Sequence, residues 1–396
     1  MPSIAERWKV LSGQKKWEGL LDPLDLDLRR YIIHYGEMAQ ATYDTFNSQQ
    51  ASKYAGSSRY AKDTLFSRVG LDKANPFKYR VTKYFYATSA TTLPGAFIVK
   101  SWSREAWSKE SNWIGFAAVA TDEGKATLGR RDIVIAWRGT VMTLEWTNND
   151  FEFELVSAPD IFGAKSDVKV HLGWHSLYTS DDPRSPFNKA SARSQVLTEV
   201  RRLVEQYKNE EISLTITGHS LGAAVGTLSA VDIVANGYNK PKGMPNKACP
   251  VTVFAFASPL VGEDKFKKYF STLQNLYVLR VRNATDLVPS YPMIGYSEVG
   301  EELRIDTSKS NYLKRPGSVN TIHALESYLH GVAGTHGSKG PFKLEVKRDI
   351  SLVNKHLDCL KDDYCVPVAW WCDKYKGMVQ LEDGAWELRD HEKDDF

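Results

Sequence analysis

From about residue 131 the chain alternates short apolar runs with amphipathic stretches, and this alternation predicts strands interleaved with helices. Asp132–Trp137 is a nearly continuous, β-branched apolar run, as expected of a strand covered on both faces. It ends at Arg138-Gly139-Thr140. Ser191 to Lys208 follows with helical spacing: Val196, Val200, Leu203, Val204 and Tyr207 share one side. Ile212–Thr217 reads as the next strand, Leu221–Ala235 as a helix rich in Ala and Leu, and Val251–Phe256 and Leu276–Val281 as two more strands. Asn239–Asn246 is a loop by its Pro, Gly and Asn content. The expected class is therefore α/β, with a mostly parallel central sheet flanked by helices. Residues 1–120 carry polar helical patterns and aromatic segments such as Tyr31–Gly36. The expectation is one domain over 1–396, with an N-terminal helical extension over about 1–80 and a C-terminal one over about 341–396. The charged end, Asp390 to Phe396, is expected to fray.

The strand 212–217 runs directly into Gly218-His219-Ser220-Leu221-Gly222, and a helix of small residues follows. G-x-S-x-G alone is short enough to arise by chance. Between a strand and a helix it predicts a nucleophile elbow, the turn that displays a strained serine in α/β hydrolases. The glycines spare side chains that would strike the neighbouring strand and helix. The new helix offers free N–H groups to a developing oxyanion.

A serine hydroxyl needs a base, and in this fold an acid and then a histidine follow the serine. Asp286 lies just past a predicted strand and is the preferred acid. Asp306, after another strand-like run, is its main rival, whereas Asp232 and Asp264 read as solvated charges. Among the later histidines, His391 falls in the charged tail and His356 in a helix of mixed polarity. His323 and His330 share one short helix starting at or just after Thr321, about two turns or roughly 10 Å apart, so only one reaches Ser220. His323, at the loop-to-helix start, is preferred; His330 is expected to pack or cap.

Composition narrows the function further. The net charge of +3, with both signs spread along the chain, gives no reason to invoke nucleic acid. A hydrophobic share of 42% and a charged share of 25% suit a soluble globular protein. The N-terminus lacks a signal-like apolar run, and no stretch approaches the roughly 18 apolar residues of a membrane span. A cytoplasmic protein meeting membrane only peripherally is expected. Cys249, Cys359, Cys365 and Cys372 show neither Cys-x-x-Cys spacing nor a Cys/His constellation, so reduced thiols are expected and no metal or cofactor is called for. Oligomeric state is not legible.

Three motifs together carry a resemblance. Gly218–Ala224, Trp137-Arg138-Gly139-Thr140 and Arg282-Asn283-x-x-Asp286-x-Val288-Pro289 resemble the class 3 lipase family. The His323-x-Leu-Glu-x-Tyr-Leu-His330 segment, with Trp17-x-Gly19-Leu20-Leu21-x-Pro23-Leu24-Asp25 and Ser111–Gly115, is similar to its plant branch, the class II phospholipase A1 enzymes related to the defective-in-anther-dehiscence lipases. The match spans most of the chain and is closest to the cytosolic type without a chloroplast transit peptide. The resemblance implies an α/β-hydrolase fold, a triad of Ser220, Asp286 and His323, and an oxyanion hole from the N–H groups of Thr140 and Leu221. It implies a lid over Val141–Val156, bearing Met142, Leu144, Trp146 and Phe151. The substrate it implies is a glycerophospholipid such as phosphatidylcholine, cleaved at the sn-1 ester. Galactolipid, diacylglycerol or monoacylglycerol are alternatives within the class, and a non-catalytic lipase-like signalling scaffold is the alternative outside it.

Overall fold

The structure is a computed structural model that describes residues 3–73, 75–90, 98–106, 108, 110–140, 153–164, 166–337, 340–372 and 375–389. Along the chain run β1 (Tyr79–Ala87), β2 (Asn112–Ala120), β3 (Arg131–Trp137), β4 (Leu155–Ser157), β5 (Lys169–His171), β6 (Ile212–His219), β7 (Val251–Phe256), β8 (Leu276–Asn283) and β9 (Glu301–Ile305). Seven of them form one sheet in the order β1-β2-β3-β6-β7-β8-β9. From β3 to β9 every pairing is parallel, while β1 and β2 add an antiparallel edge. This is the expected mostly parallel sheet. β1 and β2 are the addition, since the sequence of residues 1–120 showed polar helical patterns and aromatic segments and marked no strand there. β4 and β5 form a separate small ladder.

The strand pattern explains why the sheet is covered on both faces. Along β3, Ile133, Ile135 and Trp137 join one apolar cluster, and Val134 and Ala136 join the other. Successive side chains in a strand alternate faces, so a strand feeding two cores must be apolar throughout. The first cluster is closed by the helix Leu221–Ala235, buried at every position from Leu221 to Val234. A helix buried all round has no polar stripe to keep, and its Ala- and Gly-rich composition lets the sheet approach closely. The second cluster is closed by the helix Leu26–Thr45, which contributes Tyr31, Ile32 and Tyr35. Its N-cap Asp25 accepts the amides of Asp27 and Leu28.

Two ends of the chain are laced together on that second face. Arg29 donates to the carbonyls of Val332 and Thr335. Buried Asp44 accepts Lys355 Nζ and His356 Nε2, both at 2.7 Å, and Trp371 Nε1 donates to its carbonyl. His356 thus sits in a bend after a 3₁₀ turn (Ile350–Asn354), not in the helix expected. Asp232 is likewise corrected: it is fully buried and binds Arg193, the Tyr178 hydroxyl and Asn236. A charge in a helix interior reads as solvated only until partners distant in sequence, here on the helix Ala192–Gln206 and at Tyr178, are brought over it. All four cysteines are free, Cys249 and Cys359 buried and the other two exposed. Among the described residues no helix is long and apolar enough to cross a membrane.

Candidate active site

β6 delivers Ser220 at the carboxyl edge of the sheet, where α/β folds place ligands. Ser220 takes φ +55° and ψ −128°, a conformation that costs a non-glycine residue about 1–3 kcal/mol. The turn is held from both sides. Ser220 N–H donates to the Phe256 carbonyl on β7 at 2.9 Å, and the buried helix pins the other end. A Cβ on Gly218 would lie 2.5 Å from the Gly222 backbone, and one on Gly222 2.5 Å from the Trp137 carbonyl. The small residues are therefore demanded by the close approach of β3, β6 and the helix.

Asp286 follows β8, and its N–H closes a turn onto the Asn283 carbonyl. One carboxylate oxygen accepts the Val288 amide at 3.0 Å; the other accepts His323 Nδ1–H at 2.7 Å and the Tyr328 hydroxyl at 2.6 Å. Because the carboxylate only accepts, His323 Nδ1 carries the proton, which leaves Nε2 as the acceptor for Ser220 Oγ–H at 3.0 Å. Burial alone would raise the Asp286 carboxyl, but the bond and charge of His323, the Tyr328 hydroxyl and the Val288 amide hold it below its ordinary value. Asp306 plays no part; it caps a short turn by accepting Ser308 N–H.

His323 is not at a helix start. It ends one short helix, Val319–His323, and Ala324 (ψ 134°) breaks the chain before the next, Leu325–Gly334. Two carbonyls that a continuous helix would use are taken by side chains instead. Asn283 Nδ2 donates to Ile322 O at 3.2 Å and His219 Nε2 to His323 O at 2.7 Å. Since His219 Nε2 donates, its Nδ1 accepts, and the Tyr43 hydroxyl supplies the proton at 2.8 Å. Burial, reinforced by the charge of His323, drops the His219 pKa to about 3. A neutral ring thus stands beside His323, 4.7 Å between centroids, and adds no repulsion when His323 takes a proton. The sequence assigns no role to Tyr43, His219, Asn283 or Tyr328, although the last three stand inside the motifs that carry the family resemblance.

Thr140 ends the described run after β3, beside the elbow. The loop leading to it is fixed by Arg138, whose buried guanidinium donates to the carbonyls of Trp113 (3.1 Å) and Gly139 (2.8 Å) and lies over Phe46. Burial pulls this arginine down to about 10. Leu221 is the first residue of the elbow helix, so its N–H has no carbonyl within the helix.

Residues 134–296 match the model of the class 3 lipases. Phospholipase A1-IIgamma of Arabidopsis thaliana is 59% identical over 99% of this chain and 94% of its own. The chain belongs to the plant phospholipase A1-II family. Phospholipase A1-II 1 of Oryza sativa subsp. indica, 54% identical over 99% of this chain and 98% of its own, shows that the relationship spans both chain ends as well as the lipase core. The lid residues expected by family resemblance, Met142, Leu144, Trp146 and Phe151, lie outside the described residues. Where the structure resumes, Phe153 stacks on Tyr291. Leu155 and Val156, counted in the expected flap, belong instead to β4.

Proposed function

We propose that this phospholipase A1-II family member is a serine acyl hydrolase that releases the sn-1 fatty acid of glycerophospholipids. Ser220 is the nucleophile, His323 the general base and Asp286 the acid that orients it. The observation that carries this reading is the unbroken relay from Ser220 Oγ through His323 to Asp286, 3.0 and 2.7 Å, starting at a strained elbow. His323 Nε2 takes the serine proton as Oγ attacks the ester carbonyl, then returns it to the leaving glycerol oxygen. Water activated by the same nitrogen hydrolyses the acyl-enzyme. Asp286, kept ionised by its donors, fixes the tautomer and stabilises the imidazolium. The N–H groups of Leu221 and Thr140 hold the oxyanion, each lowering the barrier by about 3 kcal/mol.

The enzyme acts from the cytoplasm and meets the bilayer peripherally. Exposed Leu287, beside Asp286, and Val319, on the short helix of His323, favour that encounter. Phosphatidylcholine labelled separately at its two acyl positions tests the reading. Release of the sn-1 label by the wild type and of neither label by Ser220→Ala is expected. Preferential sn-2 release would refute the regiochemistry, and activity surviving in Ser220→Ala would refute the mechanism.

A further inference from the structure

A pocket of about 390 Å³ opens against His323 and Thr140. Its other walls include Tyr43, Phe46, Arg59, Asn320, His356 and Trp371. All six lie outside the stretch 134–296 that matches the class 3 lipase model, so the two chain ends build this space beside the lipase core. Its position has a chemical meaning. The base that takes the serine proton must deliver it to the leaving oxygen, so the leaving alcohol sits on the side of His323. For a glycerophospholipid cleaved at sn-1, that alcohol is a lysophospholipid and carries the phosphodiester.

Resting on the hydrolase reading above, we propose that this pocket holds the phosphodiester headgroup of the leaving lysophospholipid, with Arg59 and His356 as its contacts. Two acids line the space, Asp44 and Glu326, and both are already matched. Asp44 binds Lys355 and His356 at 2.7 Å, and Glu326 binds Arg348 at 2.5 Å with Lys355 at 3.8 Å. Each carboxylate of the wall thus has a cation in contact, although Arg348 also serves Glu37, behind the wall, at 3.5 Å. Arg59 is an exposed side chain steadied by its Nε donating to the Phe46 carbonyl at 3.3 Å. A guanidinium offers planar, paired donors suited to phosphate oxygens. The rings of Tyr43, Phe46 and Trp371 present apolar surface to the glycerol carbons.

The test compares phosphatidylcholine with diacylglycerol of the same acyl chains in the same mixed micelles. In Arg59→Ala the ratio of kcat/KM on phosphatidylcholine to that on diacylglycerol should fall about tenfold, mainly through KM, the loss of one charged contact. Arg59→Lys should restore most of the ratio, and His356→Gln should lower it less. An unchanged ratio, or an equal loss on both lipids, overturns the proposal. Glycerophosphocholine should compete with substrate for the wild type, which tests the pocket even if a variant fails to fold; no competition overturns it. Equal competition by inorganic phosphate would make the site one for a free anion and also overturn it. Failure of the hydrolase reading is separately visible, as both lipids would then still be cleaved by Ser220→Ala.

Discussion

Among the described residues two serine–histidine pairs are hydrogen-bonded, and only one of them has the parts of a catalyst. Ser220 and His323 are 3.0 Å apart; Ser310 and His330 are 2.8 Å apart. Both histidines belong to the stretch 319–334. His323 has Asp286 on its second nitrogen, a strained serine on its first and a pocket at its side. His330 stacks on Phe342 and packs its edge against Tyr312, with no carboxylate bonded to it among the described residues. Burial drops its pKa to about 3. A serine–histidine contact is therefore an ordinary way to satisfy buried polar atoms. An acid to charge the ring, an elbow to aim the serine and room for a substrate make the difference.

Exchanging the two serines should separate the pairs most sharply. Ser220→Ala should lose on the order of 10⁴-fold or more in kcat on phospholipid, with its melting temperature nearly unchanged. Ser310→Ala should do the opposite, holding kcat within about twofold while losing about 1–3 kcal/mol in urea unfolding, because His330 is left without its partner. Comparable activity losses in the two variants would erase the distinction drawn here.

The acid can be taken apart in two steps. Asp286→Asn should cost about 10³–10⁴-fold in kcat by favouring the wrong tautomer. Tyr328→Phe removes one donor to the same oxygen and should cost about tenfold. Loss of that donor also lets the Asp286 pKa rise, which an NMR titration of its carboxyl carbon should show; a drop in kcat without that rise would make Tyr328 merely a packing residue. A last effect concerns pH and stability. His330 has a folded pKa below its unfolded value, so its neutral form is fully compatible with folding above about pH 6.5. As pH falls from there toward 3 the unfolded chain takes a proton that the folded one refuses, and stability drops by about 1.4 kcal/mol per pH unit. His330→Leu should flatten the slope of unfolding free energy against pH by that amount, and an unaltered slope would show that His330 does not contribute to it.

How much of this was legible beforehand follows from where each constraint resides. The parallel strands were readable because burial on two faces leaves an unbroken apolar run, as in 132–137. β1 was not. Its register shifts between Val81 and Lys83 and again between Phe85 and Tyr86, so the period of two that marks a strand is interrupted twice. The order of Ser220, Asp286 and His323 was readable from motif and spacing. The break at Ala324 was hidden, since alanine favours helix and the cause lies in Asn283 and His219, far away in the chain. Tyr43, which sets the tautomer of His219, sits on a helix whose relation to the elbow only the folded chain reveals.

The lacing of Asp44 has a consequence for how the protein is made. Synthesis from the ribosome releases Ser220, Asp286 and His323 well before Lys355, His356 and Trp371, the residues that clasp Asp44. Until they arrive, Asp44 at the end of the helix bearing Tyr43 has neither cation and none of the cover that these residues give it, so the clasp on that helix is missing. The hydrolytic centre is thus complete in composition before it is complete in support. A purified chain ending just before Lys355 should cleave a short-chain ester far more slowly than the full chain, and equal rates would show that the clasp on Asp44 does not support the hydrolytic centre.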